Sequence, residues 1–153
     1  MGLFFYTSTL FILYFCRMKK TYFVIAAFSM AIAVILGALG AHALTEFLSP
    51  GQLDSFKTGV RYQVWHSLAI FILMLLPETF ISLKAKSRVA LLFVGGIILF
   101  SFSIYFLTTS KIYGLESLAP VIGPITPLGG VLLISGWFVL GIGIAKSKVS
   151  IPH

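Results

Sequence analysis

The sequence predicts an all-α integral membrane protein, a four-helix bundle in lipid, and three observations carry that prediction. Of the 153 residues 59% are hydrophobic and only 10% charged, with a mean hydropathy of +1.06, far more apolar than a water-soluble domain. The apolar residues gather in runs near the ~20 needed to cross a hydrocarbon layer of about 30 Å, separated by short polar links. The cations stand in clusters between those runs, not along one amphipathic face. That pattern sets membrane topology and argues against a nucleic-acid partner despite the formal charge of +7. Cys16 is the only cysteine, so neither an intrachain disulfide nor a cysteine-based metal site is available.

Residues 3–16 are apolar but, at 14 residues, short for a span. Met18-Lys19-Lys20 reads as a natural start, so residues 1–17 are expected to be an upstream extension or a weak hydrophobic segment, with a short extra helix as the alternative. A cleaved signal is not expected, because no small-x-small site precedes Arg17. Residues 18–148 then form a single four-helix domain and 149–153 a tail.

The first helix is expected over residues 22–44. Ser29, Ala33, Gly37 and Ala41 recur every fourth position, a slowly drifting stripe of small side chains on which another helix can pack closely. Gly37-Ala38-Leu39-Gly40-Ala41 superficially suggests a phosphate loop, but no strand precedes it. His42 and Glu46, four apart, close this helix on one face. In the following loop, Ser49-Pro50-Gly51-Gln52 has the form of a capping box with proline at the first helical position, predicting a short interfacial helix that feeds into the second span.

That second span is expected over residues 61–76, ended by Pro77. At about 100° per residue, Gly59, Tyr62 and Gln63 share the side of His66, while Arg61 points away and Trp65 lies about a quarter turn off. The helix has one polar face. Trp65 and Arg61 read as an interfacial anchor. A basic loop with Lys84, Lys86 and Arg88 leads into a third helix at 89–107, in which Ser101 and Tyr105 share one face and Gly95 and Ser103 another. Residues 108–127 form the longest link. Pro124 and Pro127 remove two amide donors there and predict a rigid, non-helical re-entry turn. The fourth helix is expected at 128–145. No internal repeat is visible, so a duplicated transporter half has no support.

With four spans, Arg17, Lys19, Lys20, Lys84, Lys86, Arg88, Lys146 and Lys148 fall on one side, and Lys57, Arg61 and Lys111 on the other. Eight cations against three place both ends of the core in the cytoplasm.

Gly37-Ala-Leu-Gly-Ala-His42, Thr58-Gly-Val-Arg-Tyr-Gln-Val-Trp-His66, Phe100-Ser101-x-Ser103-x-Tyr105 and Gly123-Pro-Ile-Thr-Pro-Leu-Gly-Gly130, in that order, resemble a family of small bacterial inner-membrane proteins, domain of unknown function 423. The resemblance covers residues 18–145 and implies a multi-pass plasma-membrane protein with no assigned activity. Phe102 stands where that pattern has glycine, the link at 108–122 is longer, and residues 1–17 have no counterpart.

The candidate polar cluster comprises His42, Arg61, Tyr62, Gln63, His66, Ser101 and Tyr105. His42 and His66 adjoin the same loop at similar depth, which would make the imidazoles neighbours. They are then either ligands to haem iron or a metal, with Glu46 as a third donor, or partners in interhelical hydrogen bonds that fix packing; the second is favoured because no complete ligand set is present. Arg61 is expected to snorkel to the interface. The four acidic residues are scattered and no nucleophile–base set appears, so neither enzymatic chemistry nor a cofactor is expected. The expected function is a non-catalytic membrane protein whose partners are lipids and either an unidentified membrane protein or a second copy. A path for a small solute or proton, and a haem or metal site, are the alternatives.

Overall fold

A computed structural model describes residues 2–147, with side chains from Arg17 onward. Lys148 and the tail at 149–153 lie outside the described residues, as do the side chains of the apolar stretch before Arg17. Among the described residues every regular element is helical and no strand occurs. Three helical stretches, Arg17–Glu46, Leu83–Tyr113 and Glu116–Ala145, are long and apolar enough to cross a membrane.

Helix α1 (Gly2–Ala41) passes through the cations at Arg17, Lys19 and Lys20 without a break. It stops at Ala41, short of the expected end. A 3-10 turn, Ala43–Glu46, follows, in which the Thr45 hydroxyl donates to His42 O at 2.5 Å. Helix α2 (Pro50–Leu75) begins as its sequence dictates: Ser49 Oγ accepts from Gln52 N at 3.4 Å and Gln52 Oε1 accepts from Ser49 N at 3.0 Å, with Pro50 placed where its missing amide costs nothing. The expected separate interfacial helix is simply the first turns of α2. The helix is absent from the three apolar stretches because Arg61, Gln63 and His66 interrupt its hydrophobic run.

Helix α3 (Leu83–Gly96) is capped by Ser82, so Lys84, Lys86 and Arg88 sit on its first turns and not in a loop. A π-helical stretch, Ile97–Phe102, joins it to α4 (Ser103–Thr109). The link beyond consists of 3-10 turns at Ser110–Tyr113 and Glu116–Leu118 and a short α5 (Ala119–Ile122), with Gly114 left-handed at φ 65°. Helix α6 (Ile125–Ala145) starts three residues before the expected 128, which corrects the reading of Thr126-Pro127 as non-helical. The first turn of a helix has no internal acceptors for its amides, so Pro127 loses nothing by lacking one.

Two closely packed pairs place everything else. Helix α1 lies against α2 through Ala26, Ala33 and Gly40, all buried, with Ser29 and Gly37 between them. The contact stripe mixes three- and four-residue steps, so it holds one direction. Strict four-residue steps drift by about 40° each, and Ala41, at the end of the expected stripe, is exposed. Helix α6 runs antiparallel to α3 through Gly129, Gly136 and Gly143, seven apart, which meet Phe100, Phe93 and Ile81 in turn. Gly96 of α3 returns the contact on Leu133. Glycine at these points lets the backbones approach where dispersion, not water exclusion, drives association.

At the basic end, the Lys19 ammonium pairs with Glu78 at 3.3 Å and Tyr22 OH reaches Ser87 O at 3.4 Å, tying α1 to the α2–α3 connection. Lys86 is fully buried, its ammonium donating to Leu76 O at the carbonyl end of α2, where the helix dipole favours a cation. A cation that reads in sequence as a topology signal is therefore also a helix cap.

Replacing Gly129 by alanine drives a methyl group into the Phe100 backbone, which cannot move as a side chain can, whereas Gly141 has nothing within 4 Å. G129A is expected to destabilise by about 1–3 kcal/mol and G141A to stay within about 0.5 kcal/mol of the parent, measured as thermal loss of monodisperse protein in detergent.

Candidate functional site

Gln63 stands at the centre of α2 with no exposed surface, and both polar atoms of its amide are hydrogen-bonded. Its Nε2 donates to Ser29 O at 2.8 Å and toward Ser29 Oγ at 3.4 Å, while its Oε1 accepts from Tyr105 OH at 2.8 Å. Ser67, one turn further along α2, donates to Ser29 Oγ at 2.7 Å. One amide thus joins α1, α2 and α4. Gly59 makes room for this: an added Cβ would lie 2.8 Å from the Tyr105 ring.

His66 is 4% exposed and belongs to a second group. Trp137 Nε1, which can only donate, points at His66 Nε2 at 3.1 Å, so that nitrogen carries a lone pair. The proton therefore resides on Nδ1 and is donated to Tyr62 O at 2.8 Å. The imidazole is neutral with both nitrogens engaged. Its ring lies against Tyr62, Phe93 and Trp137 at centroid distances of 5.8, 5.2 and 6.0 Å, and Tyr62 packs on Phe100 at 4.5 Å. This aromatic group joins α2, α3 and α6.

The other expected members fall elsewhere. His42 is exposed at the end of α1 and does not join the His66 group, whose neighbours come from α3 and α6 in addition to α2. Among the described residues the ion pairs are Lys19–Glu78 and Arg61–Asp54, and Glu46 is in neither. Arg61 is exposed, its guanidinium donating to Thr58 Oγ1 at 2.9 Å with Asp54 at 3.7 Å. Ser101 is buried beside Tyr105 on the same helical face, yet its hydroxyl has no partner among the described residues. Ser103, two residues on, reaches Leu99 O at 2.6 Å and meets Thr126 Oγ1 of α6 at 2.7 Å.

Trp137, Ser67 and Lys86 were not singled out from sequence as parts of a polar site. The signals exist: Trp137 follows Gly136, the middle one of three glycines seven apart (Gly129, Gly136 and Gly143), and Ser67 follows Gln63 by four. Which indole meets which imidazole is a tertiary fact that spacing does not carry.

No group of three or more His, Cys, Asp or Glu side chains suited to a metal occurs among the described residues. A cleft of ≈ 130 Å³ touches Ser29 and Gln63, but its remaining walls are Ile25, Ile32, Ile70, Val94, Ile97, Ile98 and Phe102. The geometry defines a class: a helical membrane protein in which, among the described residues, the buried side-chain polar atoms other than Ser101 Oγ are hydrogen-bonded within the protein.

Comparison with known proteins narrows this class to a family. The chain belongs to the family described as Protein of unknown function (DUF423), whose model matches residues 36–130. It is 32% identical over 127 residues to the UPF0382 membrane protein YwdK of Bacillus subtilis, covering 83% of this chain and 98% of that one. It is 35% identical over 134 residues to a UPF0382 membrane protein of Haemophilus influenzae, covering 86% and 98%. Against the UPF0382 inner membrane protein YgdD of Escherichia coli the identity is 33% over 125 residues, covering 82% and 89%. No solved structure matches the chain.

Gln63→Leu keeps the volume but strands Tyr105 OH, while Tyr105→Phe strands the Gln63 oxygen. Each is expected to cost about 1–3 kcal/mol, and the double variant to cost less than the sum by about 0.5–1.7 kcal/mol, read by thermal unfolding in detergent. Additive losses would show that the two groups do not meet.

Proposed function

We propose that the chain is a non-catalytic, multi-pass protein of the bacterial inner membrane, built as four spans with the two ends of its core in the cytoplasm. Its polar residues fix helix packing and so present a defined outer surface to lipids and to a membrane-protein partner or a second copy. The observation that supports this reading most is the His66 imidazole, whose two nitrogens are both committed to protein, to Tyr62 O and Trp137 Nε1. A ligand to iron or a proton acceptor on a transport path needs a free lone pair facing the ligand or the path. This one faces an indole.

The counting of α2 as a fourth span is supported by its position: it packs on α1, α3, the π stretch and α4, so its polar face is turned to protein. Its exposed face carries Leu68, Phe71, Ile72 and Leu75, which suit hydrocarbon. The orientation is supported by the cation excess at the end where Lys19, Lys84, Arg88 and Lys146 lie. Membership of a family that includes a named inner membrane protein supports the location. Neither the site geometry nor the relatives support transport or metal binding.

Single cysteines at Lys20 and Lys146, in a Cys16→Ser background, are expected to resist a membrane-impermeant maleimide in intact cells and to react after lysis, while a cysteine at Lys111 reacts in intact cells. The purified protein is expected to be colourless and metal-free and to support no flux in proteoliposomes. A Soret band, or a flux removed by His66→Ala without loss of fold, would replace the packing reading by redox or transport.

A further inference from the structure

One strip of α2 is exposed along its length. Lys57, Arg61, Trp65, Leu68, Ile72 and Leu75, spaced by three and four residues, are all exposed and so form one continuous line along the helix. Its chemistry changes in order. Two cations come first, then an indole, then three aliphatic side chains. From Trp65 to Leu75 the rise is about 15 Å, half the roughly 30 Å hydrocarbon thickness. The gradient from charge through aromatic to alkyl repeats that of a single phospholipid, headgroup to chain end.

At the charged end the line borders a crevice of ≈ 320 Å³ between α1 and α2, lined by Gly37, Gly40, Asp54, Phe56, Lys57, Val60 and Arg61. The glycines keep it open. A Cβ on Gly40 would come within 3.0 Å of Phe56, and one on Gly37 within 3.6 Å of Val60, so ordinary side chains there would fill the space. Asp54 balances one of the two cations, leaving a net charge of +1 on the rim. Its carboxylate, 3.7 Å from the Arg61 guanidinium, and the Thr58 hydroxyl at 2.9 Å hold that guanidinium over the opening.

We propose that this crevice and the α2 strip below it form a binding site for one anionic phospholipid of the phosphatidylglycerol type. The phosphate lies between Lys57 and Arg61, the glycerol hydroxyls face Asp54, and an acyl chain runs past Trp65 along Leu68, Ile72 and Leu75. One phosphate charge neutralises the rim, which a zwitterionic lipid does not. Lys57 and Arg61 are thus more than topology signals or snorkelling side chains: they select a lipid. This inference rests on the reading of α2 as a span, and its test separates the two.

The full chain is reconstituted in phosphatidylcholine vesicles containing equal small fractions of either brominated phosphatidylglycerol or brominated phosphatidylcholine, and tryptophan fluorescence is measured. Bromine close to Trp65 quenches it; Trp137, the other tryptophan, supplies a background that the Trp65→Phe variant measures alone. Phosphatidylglycerol is expected to quench the parent at several-fold lower mole fraction than phosphatidylcholine, with about fivefold lost in each of Lys57→Gln and Arg61→Gln. Both side chains are exposed, and an unchanged thermal transition shows that the variants fold. The preference should vanish in Trp65→Phe and survive millimolar inorganic phosphate. Equal quenching by the two lipids, or equal preference in parent and folded variants, overturns the lipid site while leaving the span intact. Competition by inorganic phosphate overturns it in favour of a phosphate site. Quenching of Trp65 by neither lipid, or its protection by self-association of the chain, overturns both the site and the assignment of this strip to lipid.

Discussion

The Gln63 side chain is the contact on which the arrangement depends. A buried primary amide carries two N–H donors and an oxygen acceptor, and leaving them unpaired costs more than most single packing contacts return. Gln63 resolves this by reaching in two directions, to Ser29 on α1 and to Tyr105 on α4. Each partner fixes the depth and rotation of its helix relative to α2. Small residues flank each meeting point, Ala33 and Gly37 on α1 and Gly59 on α2, because the amide is short and the helices must come close for it to serve both. The polar bonds and the small-residue stripes are two halves of one constraint.

The second group works differently. Around His66 the hydrogen bonds are fewer and the contact is aromatic, with Tyr62, Phe93, Phe100 and Trp137 meeting edge to face and at a tilt. Trp137 is half exposed, so its indole joins the interior through one N–H while the rest of the ring faces outward. This arrangement couples α6 to α2, which otherwise meet chiefly through α3 and the π stretch. The π stretch itself is where Gly129 brings the α6 backbone against Phe100, and it also lies between the residues that face α6 and those that face α2.

Much of this is legible in the sequence wherever periodicity alone decides. The capping box at Ser49 and the polar direction of α2 follow from spacing and residue type, and the four blocks from Gly37 to Gly130 carry a resemblance to the family whose model matches residues 36–130. What spacing leaves open is of three kinds. Helix ends were misplaced where a first-turn proline, as at Pro127, or an unrecognised cap, as at Ser82, extends the helix beyond its hydrophobic run. A constant four-residue step drifts around the helix, and Ala41 at its end is exposed. The environment of His66 depends on which helix lies across from it, and α6 is separated from α2 by α3, the π stretch, α4 and a long link, so no local pattern names Trp137 as its neighbour. Lys86 belongs with these: a lysine in a basic cluster reads as charge bias, and only the fold shows its ammonium on the Leu76 carbonyl.

The closest test of the central contact is a cross-link between positions 29 and 67, whose hydroxyls are 2.7 Å apart beside the Gln63 amide. With Cys16 replaced by serine, Ser29→Cys and Ser67→Cys place two thiols at a separation a disulfide spans. Oxidation in native membranes should join them within one chain, shifting the protein to a faster-migrating band under non-reducing conditions. Two free thiols that fail to join and react with bulky aqueous reagents would contradict the account.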